Sequence, residues 1–330
     1  SGTTDTFTVV LDAQPTSDVV IALTSSDTGE ATVNSPLTFT AANWDTPQTV
    51  TVTGADDGSV VDGNQTSSIT ISIDDANSND SFDAVTDQTV SVTTTDDDVA
   101  GFTISETNGS TEVDESGTTD TFTVVLDAQP TSDVLLSLSI NDTSEASVSS
   151  SLTFTPINWD SPQTVTVTGL DEETVDGTQT STITISVVDA VSNDSFDNVT
   201  DQTVSVDTTD DDVAGFTVVE IGGSTEVDES GTTDTFTVVL DAQPASDVVI
   251  TVVSSDTGEA TVNSPLTFTP ANWDTAQTVI VTGVDDNLID GTITSTITVA
   301  VDDANSDNDF DAVADQTVSV DTTDDDVAGF

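Results

Sequence analysis

Short runs of alternating apolar and polar residues recur along the whole chain. In the middle third they cover residues 102–105, 121–126, 134–140, 152–155, 164–168, 182–188 and 203–206. Each run is rich in Val, Ile, Thr and Phe and is bounded by Asp, Asn, Gly, Ser or Pro, which is typical of β-strands. In residues 164–168, Thr-Val-Thr-Val-Thr, the valines are expected to face a core and the threonines water. The pattern therefore predicts an all-β protein.

The strand pattern repeats with a period of about 114 residues, the size of one β-sandwich domain. The segment SGTTDTFTVVLDAQP begins at Ser1, Ser116 and Ser230, and an Asn-Trp-Asp motif recurs at the same phase. About seven strands per repeat, joined by turn residues, predict two packed antiparallel sheets. We therefore expect tandem antiparallel β-sandwich modules in a linear array.

The repeats predict the module boundaries. Module 1 covers residues 1–98, module 2 residues 99–212 and module 3 residues 213–326, and residues 327–330 begin the first strand of a further module. Module 1 begins at SGTTDTF, so its first strand is missing from the sequence. We interpret the chain as a window on a longer covalent array. The alternative is that a neighbouring copy donates the missing strand.

Aromatic residues mark the expected core of each module. Phe122, Phe154, Trp159 and Phe196 are predicted to fill or cap the core of module 2. A lectin-like site, with a sugar stacked on Trp159, is the alternative interpretation of that tryptophan.

The composition excludes most kinds of function. The 330 residues include 62 Asp and Glu but no Lys, Arg, His, Cys, Met or Tyr, for a formal charge of −62. Most enzymes need one of those absent residues as base, acid or nucleophile, and nucleic-acid phosphates need Lys or Arg. No apolar run is long enough to span a bilayer. Paired carboxylates would still allow glycosidase-like or aspartic-protease-like chemistry. We nevertheless expect a protein that is not an enzyme, binds no nucleic acid and does not insert into a membrane.

The carboxylates have no basic side chain with which to form a salt bridge. Clustered carboxylates repel one another and become protonated or recruit a cation. Hard divalent cations prefer oxygen ligands, and calcium is the usual choice outside cells, whereas zinc and copper prefer His and Cys. The composition thus predicts metal dependence, with calcium as the usual extracellular ion.

A set of motifs resembles one family. The sequence VDESGT at residues 113–118 is followed by TFTVVL, LTFTP, QTVTVTG, an acidic turn ending in VDG, and a closing Asp triplet. These residues resemble the Calx-β module, and still more the Calx-β-like and immunoglobulin-like repeats of large bacterial surface proteins and adhesins. The resemblance implies calcium at one end of each sandwich, held by a Glu near the first strand, an acidic loop and the Asp run at the module's exit.

The resemblance assigns these ligands to positions in all three modules. For module 1 they are Asp56, Asp57, Asp62, Asp96, Asp97 and Asp98, and the corresponding Glu would precede Ser1. For module 2 they are Glu115, Asp171, Glu172, Asp176, Asp210, Asp211 and Asp212. For module 3 they are Glu229, Asp285, Asp286, Asp290, Asp324, Asp325 and Asp326. The alternative is that these residues form solvated turns, because Asp is a common turn residue.

A second acidic loop also has oxygen ligands at alternate positions. Residues 303–311 read Asp-x-Asn-x-Asp-x-Asp-x-Asp, like the start of an EF-hand loop, but the loop lacks the Gly and the terminal Glu of that motif.

We interpret the chain as an extracellular or cell-surface structural protein that forms a calcium-braced rod or fibril from copies of itself, joined covalently or head to tail. The alternative is the stalk of a large bacterial adhesin whose ligand-binding head lies outside this sequence. Rows such as Thr49, Thr51 and Thr53 also allow an ice-binding or crystal-binding surface, although the solvent face of a strand explains them more simply.

Overall fold

The predicted strands form where the alternation placed them. In the computed structural model, which describes residues 2–329, Val165 and Val167 are buried while Thr164 and Thr166 are exposed. Strands connected by turns and a few single-turn 3-10 helices make up all three modules. The predicted alternation of core valines with solvent-facing threonines is confirmed.

Module 1 contains eight strands. They are β1 (Thr4–Val9), β2 (Val19–Ser25), β3 (Ala31–Val33), β4 (Leu37–Phe39), β5 (Gln48–Gly54), β6 (Val60–Val61), β7 (Gln65–Ile73) and β8 (Gln88–Thr94). Its 3-10 helices are Asp75–Asn77 and Asp80–Phe82.

Module 2 adds two strands before the counterpart of β1. Its strands are β9 (Phe102–Glu106), β10 (Thr111–Asp114), β11 (Thr119–Leu126), β12 (Gln129–Pro130), β13 (Val134–Ile140), β14 (Ala146–Val148), β15 (Ser151–Phe154), β16 (Gln163–Gly169), β17 (Thr174–Val175), β18 (Gln179–Val187) and β19 (Gln202–Thr209). Its 3-10 helices are Thr107–Gly109, Asp189–Val191 and Asp194–Phe196.

Module 3 repeats this order, except that no strand corresponds to β17 in its described residues. Its strands are β20 (Phe216–Glu220), β21 (Thr225–Asp228), β22 (Thr233–Leu240), β23 (Gln243–Pro244), β24 (Val248–Ser254), β25 (Ala260–Val262), β26 (Leu266–Phe268), β27 (Gln277–Gly283), β28 (Ile293–Val301) and β29 (Gln316–Thr323). Its 3-10 helices are Asp303–Asn305 and Asn308–Phe310.

Two sheets pack face to face in each module. In module 2 their orders are β14-β16-β11-β9 and β10-β19-β18-β13-β15, and module 3 has the same two sheets. Pairing within these sheets is antiparallel except where β10 runs parallel to β19, and β21 parallel to β29. The all-β fold of tandem, immunoglobulin-like sandwiches is confirmed. The sequence pattern had omitted the short strands β10, β12, β14 and β17. Strand β10 has only four residues, two of them acidic.

Each module has its own cluster of buried hydrophobic residues. Phe122, Phe154 and Phe196 are fully buried in module 2, as predicted. Trp159 is half-buried, packs against the same cluster, and its carbonyl oxygen accepts a hydrogen bond of 3.1 Å from the amide of Leu126. These contacts support the core interpretation of the tryptophan.

The described part of module 1 contains no counterpart of β9 or β10. Its sheets are β1-β5-β3 and β4-β2-β7-β8. A cleft of about 270 Å³ opens between them, lined by Phe7, Val90 and Val92 among others. In module 2 the equivalent residues Phe122 and Val206 are buried.

Adjacent modules are joined by backbone hydrogen bonds as well as by the chain. Strand β6 of module 1 pairs in parallel with β12 of module 2, and β17 of module 2 pairs in the same way with β23 of module 3. Val61 belongs to the hydrophobic cluster of module 2, and Val175 to that of module 3. Each valine therefore crosses the boundary that the repeats predict. Among residues 2–329, no helix is long and apolar enough to cross a membrane.

Candidate metal centre

The parallel pairing of β10 with β19 brings two acidic residues to one end of module 2. Asp114 and Thr209 are register partners at the ends of these strands. Glu115 and Asp210 are the next residues along each strand. The amide of Glu115 donates to the carbonyl oxygen of Thr209 at 3.1 Å. Neighbouring parallel strands end at the same edge of a sheet. The residues that carry the two carboxylates therefore lie next to each other.

A glycine allows the segment that carries Glu115 to approach the other sheet closely. Gly169 ends β16, and a Cβ atom placed on it would collide with the backbone of Asp114, lying 2.8 Å from its carbonyl carbon. Gly283 and Asp228 stand in the same relation in module 3. Only glycine permits this approach without displacing the acidic segment.

Five carboxylates of module 2 converge on this end. The ligand oxygens of Glu115, Asp210 and Asp212 lie within 4.8 Å of one another, and so do those of Glu115, Glu145 and Glu172. Glu115 is common to both groups. It is fully buried, and neither of its carboxylate oxygens has a hydrogen-bond partner.

Other oxygens at this end are also unpartnered. Oε2 of Glu145, Oδ1 of Asp176 and Oδ2 of Asp212 are buried without a hydrogen-bond partner. A buried, unpaired carboxylate is costly unless it is protonated or coordinates a cation. Because the chain contains no Lys, Arg or His, no basic side chain can supply the missing charge.

The electrostatic consequence is a set of raised pKa values. Burial, and then repulsion from Asp210, raises the pKa of Glu115 to about 8. Burial, and then repulsion from Asp176, raises the pKa of Glu145 to about 6. In module 3, burial followed by repulsion from Asp324 raises the pKa of Glu229 to about 7.

Backbone amides fix the exit segment around the first residue of each Asp triplet. Asp210 Oδ2 accepts from the amides of Asp176 at 3.0 Å and Gly177 at 2.9 Å, and its Oδ1 accepts from the amide of Asp212 at 2.7 Å. Asp96 accepts the equivalent three bonds in module 1. These hydrogen bonds hold the acidic loop against the Asp triplet.

The side chains of each Asp triplet point to opposite sides of the exit segment. Asp210 and Asp212 are half-buried in the cluster, whereas Asp211 between them is exposed. Asp97 and Asp325 are likewise exposed, while Asp96, Asp98, Asp324 and Asp326 are half-buried. In an extended segment alternate side chains point to opposite sides, so one acidic residue of each triplet points away from the site.

Modules 1 and 3 each bring together a smaller group. The ligand oxygens of Glu30, Asp57 and Asp62 lie within 4.8 Å in module 1, as do those of Glu259, Asp286 and Asp290 in module 3. Glu229 is buried with both oxygens unpartnered, as Glu115 is.

Eight of the twenty predicted ligands belong to these groups. The twelve that do not are Asp56, Asp96, Asp97, Asp98, Asp171, Asp176, Asp211, Glu229, Asp285, Asp324, Asp325 and Asp326. Asp56, Asp171 and Asp285 are exposed in the acidic loops, one residue before the loop carboxylates that do converge. The role of all the predicted residues as metal ligands stays a prediction.

Sequence reasoning missed Glu30, Glu145 and Glu259. Each immediately precedes a three-residue strand, β3, β14 or β25. The signal was present, because a Glu follows Asp-Thr-Gly or Asp-Thr-Ser at the same phase of all three repeats. The strand pairing that brings it to the exit end was not visible in the sequence.

The EF-hand-like loop is held in place by hydrogen bonds, and its role as a metal site stays a prediction. Asp307 is buried and accepts hydrogen bonds from the amide of Ser246 at 2.6 Å and from its hydroxyl at 3.1 Å. In module 2 the equivalent Asn193 donates to the hydroxyls of Thr131 and Ser132. These polar residues anchor the loop to the turn before β13 or β24.

No protein-family model matches the sequence, and a search of curated proteins finds no match. Among solved structures, the chain is similar to the crystal structure of CBD12 from CALX1.2, with 12% identity, 66% of this chain and 99% of that chain covered, and a TM-score of 0.28. The surface layer protein SbsC, domains 4-9, shows 18% identity over 96% of this chain and 40% of that one, with a TM-score of 0.28. The I-band fragment I67-I69 from titin shows 10% identity over 98% and 93%, with a TM-score of 0.33.

Proposed function

We propose that this chain is an extracellular structural repeat protein that forms a calcium-braced rod or fibril. Each module would hold calcium at its exit end, between the acidic loop and the Asp triplet. The protein would act by shape and stiffness rather than by catalysis.

One observation carries the proposal. Glu115 is fully buried, both of its carboxylate oxygens lack a partner, and it lies within 4.8 Å of other carboxylate oxygens on two sides. A cation of charge +2 would replace the repulsion between these groups with attraction and would satisfy the unpartnered oxygens.

The donor set fits calcium. It consists entirely of oxygen atoms from several carboxylates, which suits the six to eight oxygen ligands of Ca²⁺. Zinc is disfavoured because no His or Cys is present. In module 2 the residues that would hold the ion are Glu115, Glu145, Glu172, Asp176, Asp210 and Asp212.

The same loop connects the site to the joint between modules. Asp176 belongs to the acidic end, and the preceding residue, Val175, is buried against the core of module 3. Asp62 and Val61 have the same arrangement at the first joint. An ion that orders the carboxylate of the loop also restricts the valine next to it, so bound calcium would stiffen the rod.

The same features support the proposed extracellular location. Calcium sites of extracellular modules work at roughly 10⁻⁴–10⁻³ M free calcium, and a net charge of −62 keeps assembled fibres apart by self-repulsion.

Thermal unfolding of the 330-residue chain in calcium, magnesium or a chelator tests the proposal. A ligand that binds only the folded state stabilises it by about 2.7 kcal/mol per site at a concentration of 100 Kd. We expect calcium to raise the Tm by many degrees and magnesium to have little effect. Coincident scans in calcium and chelator would contradict the calcium site.

Small-angle X-ray scattering tests the rod separately. We expect calcium to give a single extended shape with a well-defined maximum dimension. If calcium raises the Tm while the scattering still requires a broad distribution of inter-module angles, the ion binds but does not brace the rod.

A further inference from the structure

Four Asp-Gly pairs occur in the chain, and all of them lie in the acidic loops. They are Asp57–Gly58, Asp62–Gly63, Asp176–Gly177 and Asp290–Gly291. Glycine has no Cβ atom, so its amide nitrogen can approach the side chain of the preceding aspartate with little steric hindrance. An Asp-Gly pair is therefore the sequence in which aspartate isomerises to isoaspartate most readily.

In three of these pairs the glycine amide is fixed by a hydrogen bond to the first residue of the Asp triplet. The donor–acceptor distances are 2.8 Å from Gly63 to Asp96, 2.9 Å from Gly177 to Asp210 and 2.9 Å from Gly291 to Asp324. The other oxygen of each acceptor is bonded to the amide two residues further along. An amide bonded to a carboxylate that is itself held in place keeps its proton and cannot turn toward the neighbouring side chain.

The pair Asp57–Gly58 differs from the other three. The amide of Gly58 donates to Oδ1 of Asp56, two residues earlier, at 3.3 Å, which is longer than the usual range of roughly 2.7–3.2 Å. Asp56, Asp57 and Gly58 are all exposed, and a Cβ atom placed on Gly58 would meet no atom of residues 2–329 within 4 Å. This amide is therefore free to move.

An extra residue in the loop accounts for the difference. The loop from Asp56 to Asp62 is one residue longer than the equivalent loops of modules 2 and 3. It is also internal to the chain, because the carbonyl oxygen of Ser59 accepts a hydrogen bond of 2.6 Å from the amide of Gln129 in module 2. The exposure of Asp57–Gly58 thus belongs to the turn itself.

We propose that Asp57–Gly58 is a modification site at which aspartate converts spontaneously to isoaspartate. The amide nitrogen of Gly58 attacks Cγ of the protonated Asp57 carboxyl group. The N–Cγ bond forms, the Cγ–OH bond breaks, and the hydroxyl leaves with the amide proton as water. A water molecule then attacks the main-chain carbonyl carbon of Asp57, whose bond to nitrogen breaks while the proton returns to the nitrogen. The net reaction is an isomerisation that needs only solvent water.

The product alters the oxygen group of module 1. Asp57 contributes an oxygen to the group that contains Glu30 and Asp62. In isoaspartate the main chain is one carbon longer, and the free carboxylate is bonded directly to Cα, so its oxygens no longer occupy the same positions. Module 1 would then lose its ion as the protein ages. This consequence rests on the proposed calcium site, whereas the isomerisation itself does not.

Incubation of the 330-residue chain at pH 6 in chelator, folded or unfolded in urea, tests the proposal. The chain has no Lys or Arg for trypsin, so it is digested after Glu, and isoaspartate is located at each pair by electron-transfer mass spectrometry. In the folded chain we expect isoaspartate at position 57 to form at least about tenfold faster than at the other three pairs, since there a charge-assisted hydrogen bond must open first. In urea the four rates should be similar.

Two variants test the cause. Asp210→Ala removes the acceptor of the Gly177 amide and should accelerate isomerisation at Asp176 alone, while Asp290, whose glycine stays bonded, remains slow. Gly58→Ala places a Cβ next to the attacking nitrogen and should suppress the reaction at Asp57.

Three results would overturn the proposal. They are equal rates at the four pairs of the folded chain, an excess at Asp57 of the same size in urea, and an unchanged rate at Asp176 in Asp210→Ala. Because every arm is run in chelator, such a failure would leave the proposed calcium sites standing, and coincident melting scans in calcium and chelator would leave the isomerisation standing.

Discussion

Glu115 and Asp210 are the residues that immediately follow two neighbouring parallel strands, and the buried carboxylate of the first faces the carboxylate of the second. No basic side chain compensates this pair. We therefore expect the pair to lower the stability of the metal-free protein and to increase its affinity for a cation. One substitution can separate these two effects.

Glu115→Gln should change stability in opposite directions with and without calcium. In chelator at pH 8 the variant should be more stable than the wild type, since it removes a buried charge whose burial costs roughly 1–3 kcal/mol. In calcium it should be less stable, because it removes a ligand shared by both oxygen groups. Thermal unfolding measures both. The control is Glu173→Gln, an exposed residue of the nearby loop. A variant that is destabilised under both conditions would indicate a purely structural role.

Stability without calcium should fall as the pH rises from 5 to 8. Glu115, Glu145 and Glu229 have folded-state pKa values raised to about 8, 6 and 7, above the ordinary value of 4.5. The folded state therefore binds more protons than the unfolded state in this window, and the stabilisation present below pH 4.5 is lost as the pH passes the folded pKa values.

Calcium should reverse this dependence. Its ligands must be deprotonated, so affinity increases with pH, and the Tm in calcium should rise where the Tm in chelator falls. Melting scans at each pH in the two buffers check the prediction. Parallel pH profiles in calcium and chelator would contradict it.

Gly169→Ala should displace the segment that carries Glu115. The new Cβ would collide with the backbone of Asp114, which cannot rotate away as a flexible side chain would. We expect a loss of roughly 1–3 kcal/mol in the free energy of unfolding and weaker calcium binding by calorimetry. Gly54→Ala is the matched control, since at the same position of module 1 a Cβ meets no atom of residues 2–329 nearer than 3.6 Å. Equal effects of the two substitutions would count against the close approach as the cause.

The fold was largely predictable because the alternation of apolar and polar residues within each short segment determines it. Alternation such as that of Val165 and Val167 specifies which face of a strand is buried, and the repeats show where each sandwich recurs. Strand β10 was missed because two of its four residues are acidic, and its stability comes from a parallel partner 95 positions away, Asp114 against Thr209.

The site was only partly predictable, because part of it also depends on pairing between strands that are distant in the sequence. Asp210 and Asp212 stand out in the sequence as members of an acidic run. Glu145 stands alone before a short strand, and only the pairing of β14 with β16 brings it to the exit end. The sequence also could not show which side chains of the Asp triplet point toward the site. Asp211 is exposed because Asp210 and Asp212, on the alternate positions, are the ones that face the module.

Val175→Ser should loosen the joint between modules 2 and 3 while leaving both modules folded. The substitution removes most of the apolar surface that this valine buries in the core of module 3, at a cost of about 1–2 kcal/mol. NMR relaxation should then give different rotational correlation times for the two modules, whereas we expect the wild type to tumble as one body. Val213→Ser is the matched control, since that valine lies in the same inter-module segment and is exposed. Independent tumbling in the wild type itself, or in both variants alike, would show that the inserted valine does not set the stiffness of the joint.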